Sequence, residues 1–318
     1  MRFAVETWAP DYGQPVDDAV LGEPEADVDL AVEVAPDDWA PITPAVAPAS
    51  RVLFVDGVQR VDANVWVTGD DGVSHVGVFA SWGAGVVVCD GQARVEATEV
   101  RRGVLVPGQA DLDAVVTAHD TYHPYAVRDD DSTDHALNNA RGDLEVRVAG
   151  EFLARTAGGE AGGADGDDLV VVDGPVRGHR HLPGAVGYVK AHHVAYLPPA
   201  RQLVVGALRS GQRTPLFALG GQTRRWSWYL RLPGPATHPW WGVVRCEAAG
   251  PPEVADATAL ADRVAATLHR FASQPHNDPR APQNLHPIAG LERELRRRLG
   301  DSLILERALH RAAAAGAA

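Results

Sequence analysis

Two aspartates occupy equivalent points of two apolar segments: Asp56 in Val52-Leu53-Phe54-Val55-Asp56-Gly57 and Asp173 in Leu169-Val170-Val171-Val172-Asp173-Gly174. Each segment reads as a buried β-strand that delivers a carboxylate and then turns on glycine. A carboxylate on a core strand is held more rigidly than one on a loop, which suits metal ligation. The two converge only if their strands are neighbours in one sheet. The second segment leads into Gly187-Tyr188-Val189-Lys190, and Lys190 is the one lysine of the chain. A single Asp-Gly pair is an ordinary turn; its repetition in matching strands sets this pair apart.

A helix stands between the two strands in sequence. Over 134–156, Leu137, Ala140, Leu144, Val148 and Phe152 recur at three- or four-residue spacing, behind the capping run Asp131-Ser132-Thr133-Asp134. It carries Glu145 near its middle and Glu151 about 1.7 turns further on, so only one of them faces the strand ends. Three carboxylates in one cleft repel unless divalent cations neutralise them. Hard oxygen ligands select Mg²⁺ or Mn²⁺. Two such ions about 4 Å apart activate water and stabilise a phosphodiester's leaving oxygen.

The surrounding elements form an α/β pattern. Residues 51–58, 61–68, 73–79 and 85–89 read as an antiparallel meander, with Gly69-Asp70-Asp71-Gly72 as a hairpin turn. The segment 109–130 reads as a short helix and a polar loop, and 158–167 as a flexible Gly/Ala/Asp insertion. Strands are expected at 187–196, 203–208, 215–219, 226–232 and 241–246, and helices at 254–272, 288–299 and 302–315. The expected organisation is an acidic arm (1–50), a main domain (51–300) and a C-terminal helix with an alanine-rich tail (301–318).

Net charge is −13 over 318 residues, but residues 1–50 contribute eleven acids against Arg2 alone. The remainder is therefore nearly neutral, and the whole-chain charge does not exclude a nucleic-acid partner. Trp8 and Trp39 are the expected anchors of the arm. Two cysteines, Cys89 and Cys246, make neither a disulfide framework nor a zinc site. No apolar run is long enough to span a membrane and no signal peptide is evident, so a cytoplasmic location is expected.

Taken together, Phe54-Val55-Asp56-Gly57-Val58, Arg141-x-x-Leu144-Glu145, Val171-Val172-Asp173-Gly174-Pro175 and Gly187-Tyr188-Val189-Lys190 resemble the NurA nuclease family over roughly residues 50–300. The resemblance implies a ribonuclease H-like mixed sheet flanked by helices, and a Mn²⁺- or Mg²⁺-dependent DNA nuclease with a two-ion site. It further implies a homodimer working with a HerA-like hexameric ATPase. By it, Asp56, Glu145 and Asp173 are the metal ligands and Lys190 touches the scissile or a neighbouring phosphate. The 158–167 insertion lengthens the family's spacing between the glutamate and the second aspartate. The family's proline-rich turn and histidine map to Pro282-Gln283-Asn284-Leu285-His286-Pro287, where His286 is offset from the family position and reads as a surface or capping residue.

Arg177 and Arg180, following Asp173, form a basic loop suited to a DNA backbone, and Arg213 stands on an expected hairpin. Arg224-Arg225-Trp226-Ser227-Trp228-Tyr229 interleaves bases with aromatics, which suits single-strand stacking but equally a strand with core tryptophans. His179, His181, His192 and His193 lack the partners of a zinc motif. Arg296-Arg297-Arg298 reads as a solvated helix face. No phosphate-binding glycine loop follows a strand, which argues against NTP hydrolysis, dinucleotide binding and a sugar-kinase-like relative. The rival reading from another class is a non-catalytic adaptor docking on a hexameric ATPase.

Overall fold

The computed structural model describes residues 27–68, 72–108, 112–128, 131–157, 168–179, 182, 184–220, 224–234, 237–249 and 253–316. Its strands are β1 (Val28–Asp29), β2 (Val52–Thr68), β3 (Ser74–Cys89), β4 (Ala93–Pro107), β5 (Val115–Val116), β6 (Thr121–Val127), β7 (Leu169–Asp173), β8 (Ala185–Val189), β9 (Phe217–Leu219), β10 (Arg225–Arg231) and β11 (Val243–Ala249). The helices are α1 (Thr133–Ala157), α2 (Pro199–Ala207), α3 (Val254–Leu268), α4 (His286–Arg298) and α5 (Ser302–Gly316). The protein is α/β, with a mixed sheet in the order β1-β9-β10-β11-β8-β7-β2-β3-β4-β6-β5. That order sets β7 beside β2, as convergence of the two aspartates requires.

Two compact units divide the chain, with boundaries inside β2, β3, β4 and α4 and one between α1 and β7. The first comprises 1–54, 87–94 and 160–289. Its β7 and β8 are parallel, with Asp173 opposite Tyr188, and β11 pairs antiparallel with both β8 and β10. Its core includes Trp39, Val205, Phe217, Leu219, Tyr229 and Val243. The second comprises 55–86, 95–159 and 290–318. Its core cluster holds Phe79, Val104, Val106, Tyr122 and Leu309.

Several expectations change. The segments 51–58 and 61–68 are one strand, β2, and 73–79 and 85–89 are one strand, β3. Asp56-Gly57 is therefore not a turn. β2 is buried continuously over its first seven residues and alternates beyond them, so its hydropathy changes along one unbroken strand. The 203–208 segment is helical: Pro198 is extended and Pro199 opens α2, where a missing N–H costs nothing. Residues 93–107 and 121–127 are strands that were not expected, and β4 and β6 are parallel. The insertion 158–167 and the turn residues 69–71 lie outside the described residues, as does Trp8.

The described part of the acidic N-terminal segment is built into its unit. β1 pairs with β9, and the buried Trp39 donates its indole N–H to the Leu30 carbonyl at 2.9 Å.

Candidate metal centre

Asp56 is buried within β2, and its Oδ1 accepts the Gly57 N–H at 2.7 Å. The next position must lack a side chain. A Cβ on Gly57 would collide with Glu145 Oε1 and stand 2.9 Å from Arg141 Cγ. Arg141 Nη1 donates to the Gly57 carbonyl at 3.3 Å and lies 3.4 Å from Glu145 Oε1. Helix α1, whose Leu137, Ala140, Leu144, Val148 and Phe152 are all buried as their spacing predicts, thus sets the buried Glu145 against β2 at this glycine. Gly57→Ala should therefore cost about 1–3 kcal/mol through overpacking. Urea unfolding measures it, and a variant as stable as the wild type contradicts the close approach.

Asp173 ends β7, and Gly174 follows with φ 104°, donating its N–H to the Tyr188 carbonyl at 2.8 Å. On β8, a Cβ at Gly187 would sit 2.5 Å from the Val176 nitrogen, so the loop after Asp173 folds directly onto this glycine. Lys190 Nζ donates to Asp173 Oδ2 at 2.6 Å and to Asn284 Oδ1 at 3.0 Å. Asn284, fully buried, donates in turn to Asp278 Oδ2 at 2.8 Å. The Tyr188 hydroxyl donates to the Gln283 carbonyl at 2.7 Å, and burial pushes its pKa well up. The Pro282–Pro287 stretch therefore contributes Asn284 and Gln283 to this network, while His286 is exposed.

One oxygen each from Asp56, Asp173 and Glu292 lies within 4.8 Å of the others. The carboxylate that joins the two aspartates is thus Glu292 of α4, not the expected Glu145. Glu151 is exposed and pairs with Arg147 at 2.9 Å. Glu292 had a legible signal: it falls on the apolar stripe of Ile288, Leu291, Leu295 and Leu299, all buried. An acid on the core face of an amphipathic helix calls for a compensating charge. Oxygens opposed across a hard cation stand about 4 Å apart for Mg²⁺ and about 5 Å for Ca²⁺. No two of the three oxygens lie further apart than the larger of those separations, and an all-carboxylate donor set suits such ions.

The expected DNA-binding arginines separate. Arg213 is a correction: it is 1% exposed, with Nη1 and Nη2 on the two Glu33 oxygens at 2.9 and 2.7 Å and Nε on Asp262 at 2.6 Å. Burial opposes its charge, but those two carboxylates outweigh it and raise the guanidinium's pKa. Its role is internal. Arg224 is exposed, 4.6 Å over the Trp226 ring and 3.6 Å from Asp29. Trp226 and Trp228 are both buried and offer no stacking surface. Arg177 lies in a short 3-10 turn, and Arg180 and His181 lie outside the described residues.

His192 is a core residue. It hydrogen-bonds the Val243 carbonyl at 3.3 Å and packs against Tyr229 and Trp240. Burial pushes its pKa down to about 4, from an ordinary 6.5. Between these values the unfolded chain takes up a proton that the folded state refuses, so stability falls as the pH drops from about 6.5 to 4. The group accounts for roughly 3 kcal/mol across that window. In His192→Gln the acid-side slope of unfolding free energy should fall by up to one proton equivalent; an identical slope refutes it.

In comparisons with known proteins, the chain matches no family model and no curated protein. Among the described residues, no helix is long and apolar enough to cross a membrane.

Proposed function

We propose that the chain is a divalent-metal-dependent DNA nuclease of the NurA type. The carrying observation is that one oxygen each of Asp56, Asp173 and Glu292 lies within 4.8 Å of the others, with Lys190 bound to one of the three. The NurA-like motifs support it, since three of their residues (Asp56, Asp173 and Lys190) belong to this constellation. The mixed sheet with its adjacent β2 and β7 is compatible with the ribonuclease H-like arrangement that the resemblance implies.

Asp56, Asp173 and Glu292 would hold the cation, with Mn²⁺ or Mg²⁺ suited to their oxygens. Glu145, buried beside Gly57 and hence beside Asp56 in sequence, is the ligand proposed for a second ion. Bound there, the metal would supply Lewis-acid activation of a phosphodiester and of water. The protein's own part is positional. Core strands fix the two aspartates, and Asn284 holds the Lys190 ammonium where its point charge offsets the carboxylates and would meet a phosphate. As in the family it resembles, the chain would act as a homodimer on DNA presented by a HerA-like hexameric ATPase, in end processing, repair or defence.

The test is incubation of the purified chain with linear duplex and single-stranded DNA and Mn²⁺ or Mg²⁺. Degradation that EDTA stops is the expected result. A chain that binds no Mn²⁺ and degrades nothing would instead be the adaptor.

A further inference from the structure

Asp278 is a buried carboxylate of the first unit, which also holds Asp173, Lys190 and Asn284. Both its oxygens are engaged, but by amides: Oδ1 accepts the Arg280 backbone N–H at 2.8 Å, and Oδ2 accepts from Asn284 Nδ2 at 2.8 Å. Withdrawing a carboxylate from water is costly unless a cation answers it. The cation stands one amide away. Asn284 Oδ1 accepts from Lys190 Nζ at 3.0 Å, and the same ammonium donates to Asp173 Oδ2 at 2.6 Å. Asp278, Asn284, Lys190 and Asp173 therefore form one line of hydrogen bonds that ends on a carboxylate of the metal cluster.

The direction of that line is set by charge. The oxygen of an asparagine amide only accepts and its nitrogen only donates. Reversing the Asn284 amide would set oxygen against oxygen at Asp278 and N–H against N–H at Lys190, so both contacts would fail together. The backbone here is already fixed. The Asn284 N–H donates to the Arg280 carbonyl at 3.0 Å, and the Gln283 carbonyl accepts the Tyr188 hydroxyl. The freedom left to Asn284 is rotation of its amide, a torsion with broad, roughly two-fold preference. Asp278 removes it, and its own second oxygen, on the Arg280 N–H, keeps the carboxylate from turning. We infer that Asp278 is a positioning residue, which orients the Asn284 amide so that its oxygen holds the Lys190 ammonium against Asp173. On the proposed nuclease reading, on which the catalytic consequence rests, Asp278 thereby sets where the ammonium meets a phosphate.

Lys190 is the one lysine of the chain, so the full chain labelled with ¹⁵N-lysine gives one side-chain ammonium signal and one lysine backbone amide. An ammonium held by two acceptors exchanges its protons with water slowly. Asp278→Ala should speed that exchange about 3- to 10-fold, the scale of one hydrogen bond. Asn284→Leu should do the same, and the double variant should add nothing, because the groups act as one unit. The Lys190 backbone amide, in the same spectrum, reports that each protein is folded. If Asp278→Ala does not fold, Asp278→Asn, of the same size but uncharged, is measured in its place. Exchange as slow as wild type in a folded Asp278 variant, or additive effects in the double variant, overturns the inference. In the Mn²⁺-dependent DNA assay, Asp278→Asn should lower kcat about 10-fold, as loss of an outer partner does, and should cost nothing more in a Lys190→Met background. An equal loss in that background overturns the positioning role. No hydrolysis by the wild type sinks the nuclease reading and leaves the ammonium exchange to decide the relay. Wild-type hydrolysis in a variant whose ammonium is freed sinks the positioning role and spares the nuclease.

Discussion

Asp56→Asn is expected to abolish Mn²⁺-dependent DNA hydrolysis, at least about 100-fold, since even outer partners of metal ligands act on that scale. Asp173→Asn and Glu292→Gln should do the same, because each contributes one of the three oxygens that lie within 4.8 Å of one another. The three variants should also lose the thermal response to metal. A cation at a hundred times its Kd stabilises the folded state by about 2.7 kcal/mol, which for a protein of this size raises Tm by about 4 °C. Scanning calorimetry with and without Mn²⁺ reads this directly. A Tm rise that persists in Asp56→Asn would place the ion elsewhere. Glu145→Gln sorts the two glutamates: full retention of the response there, with loss in Glu292→Gln, assigns the ligand to α4.

Arg213→Leu should destabilise the protein by about 3–5 kcal/mol, the cost of breaking a buried ion pair from one side. Glu33 and Asp262 would lose their shared cation together, and Glu33 also accepts the Leu216 N–H at 2.7 Å. Arg213→Lys should recover only part of this, because an ammonium cannot span both Glu33 oxygens and Asp262 as the planar fork does. DNA affinity of the folded fraction should not change, in contrast to the surface role expected from the hairpin position of Arg213. Equilibrium unfolding in urea measures the first effect and anisotropy the second. A loss below about 1 kcal/mol would mean the triad is not the fastening it looks to be.

Local patterns carried a good share of the architecture. The 3.6-residue spacing of Leu137, Ala140, Leu144, Val148 and Phe152 set α1 within a residue at each end, because burial of one face is a property of consecutive turns. The apolar runs before Asp56 and Asp173 announced β2 and β7, and the short step to Lys190 announced an ammonium near Asp173. Extent was harder. β2 changes from buried to alternating along its length, which looks like two strands, whereas β3 is buried without a break from its fourth residue on and is one strand through the small residues Gly83 and Ala84. In α2, the β-branched Val204 and Val205 argued for a strand, and the prolines before them decided for a helix.

What the chain determines by itself is which residues can do chemistry: two strand aspartates, a lysine that is alone of its kind, and a set of acids on helices. Which acid completes the cluster is decided only by tertiary structure. Glu145 lies in sequence between the two aspartates, yet α1 seats it against Gly57, and α4, more than a hundred residues later, brings Glu292 to the pair. The same holds for Arg213, whose partner Glu33 is 180 residues away. A carboxylate's environment is set by what packs against it, and packing partners are chosen by the whole core, not by neighbours in sequence.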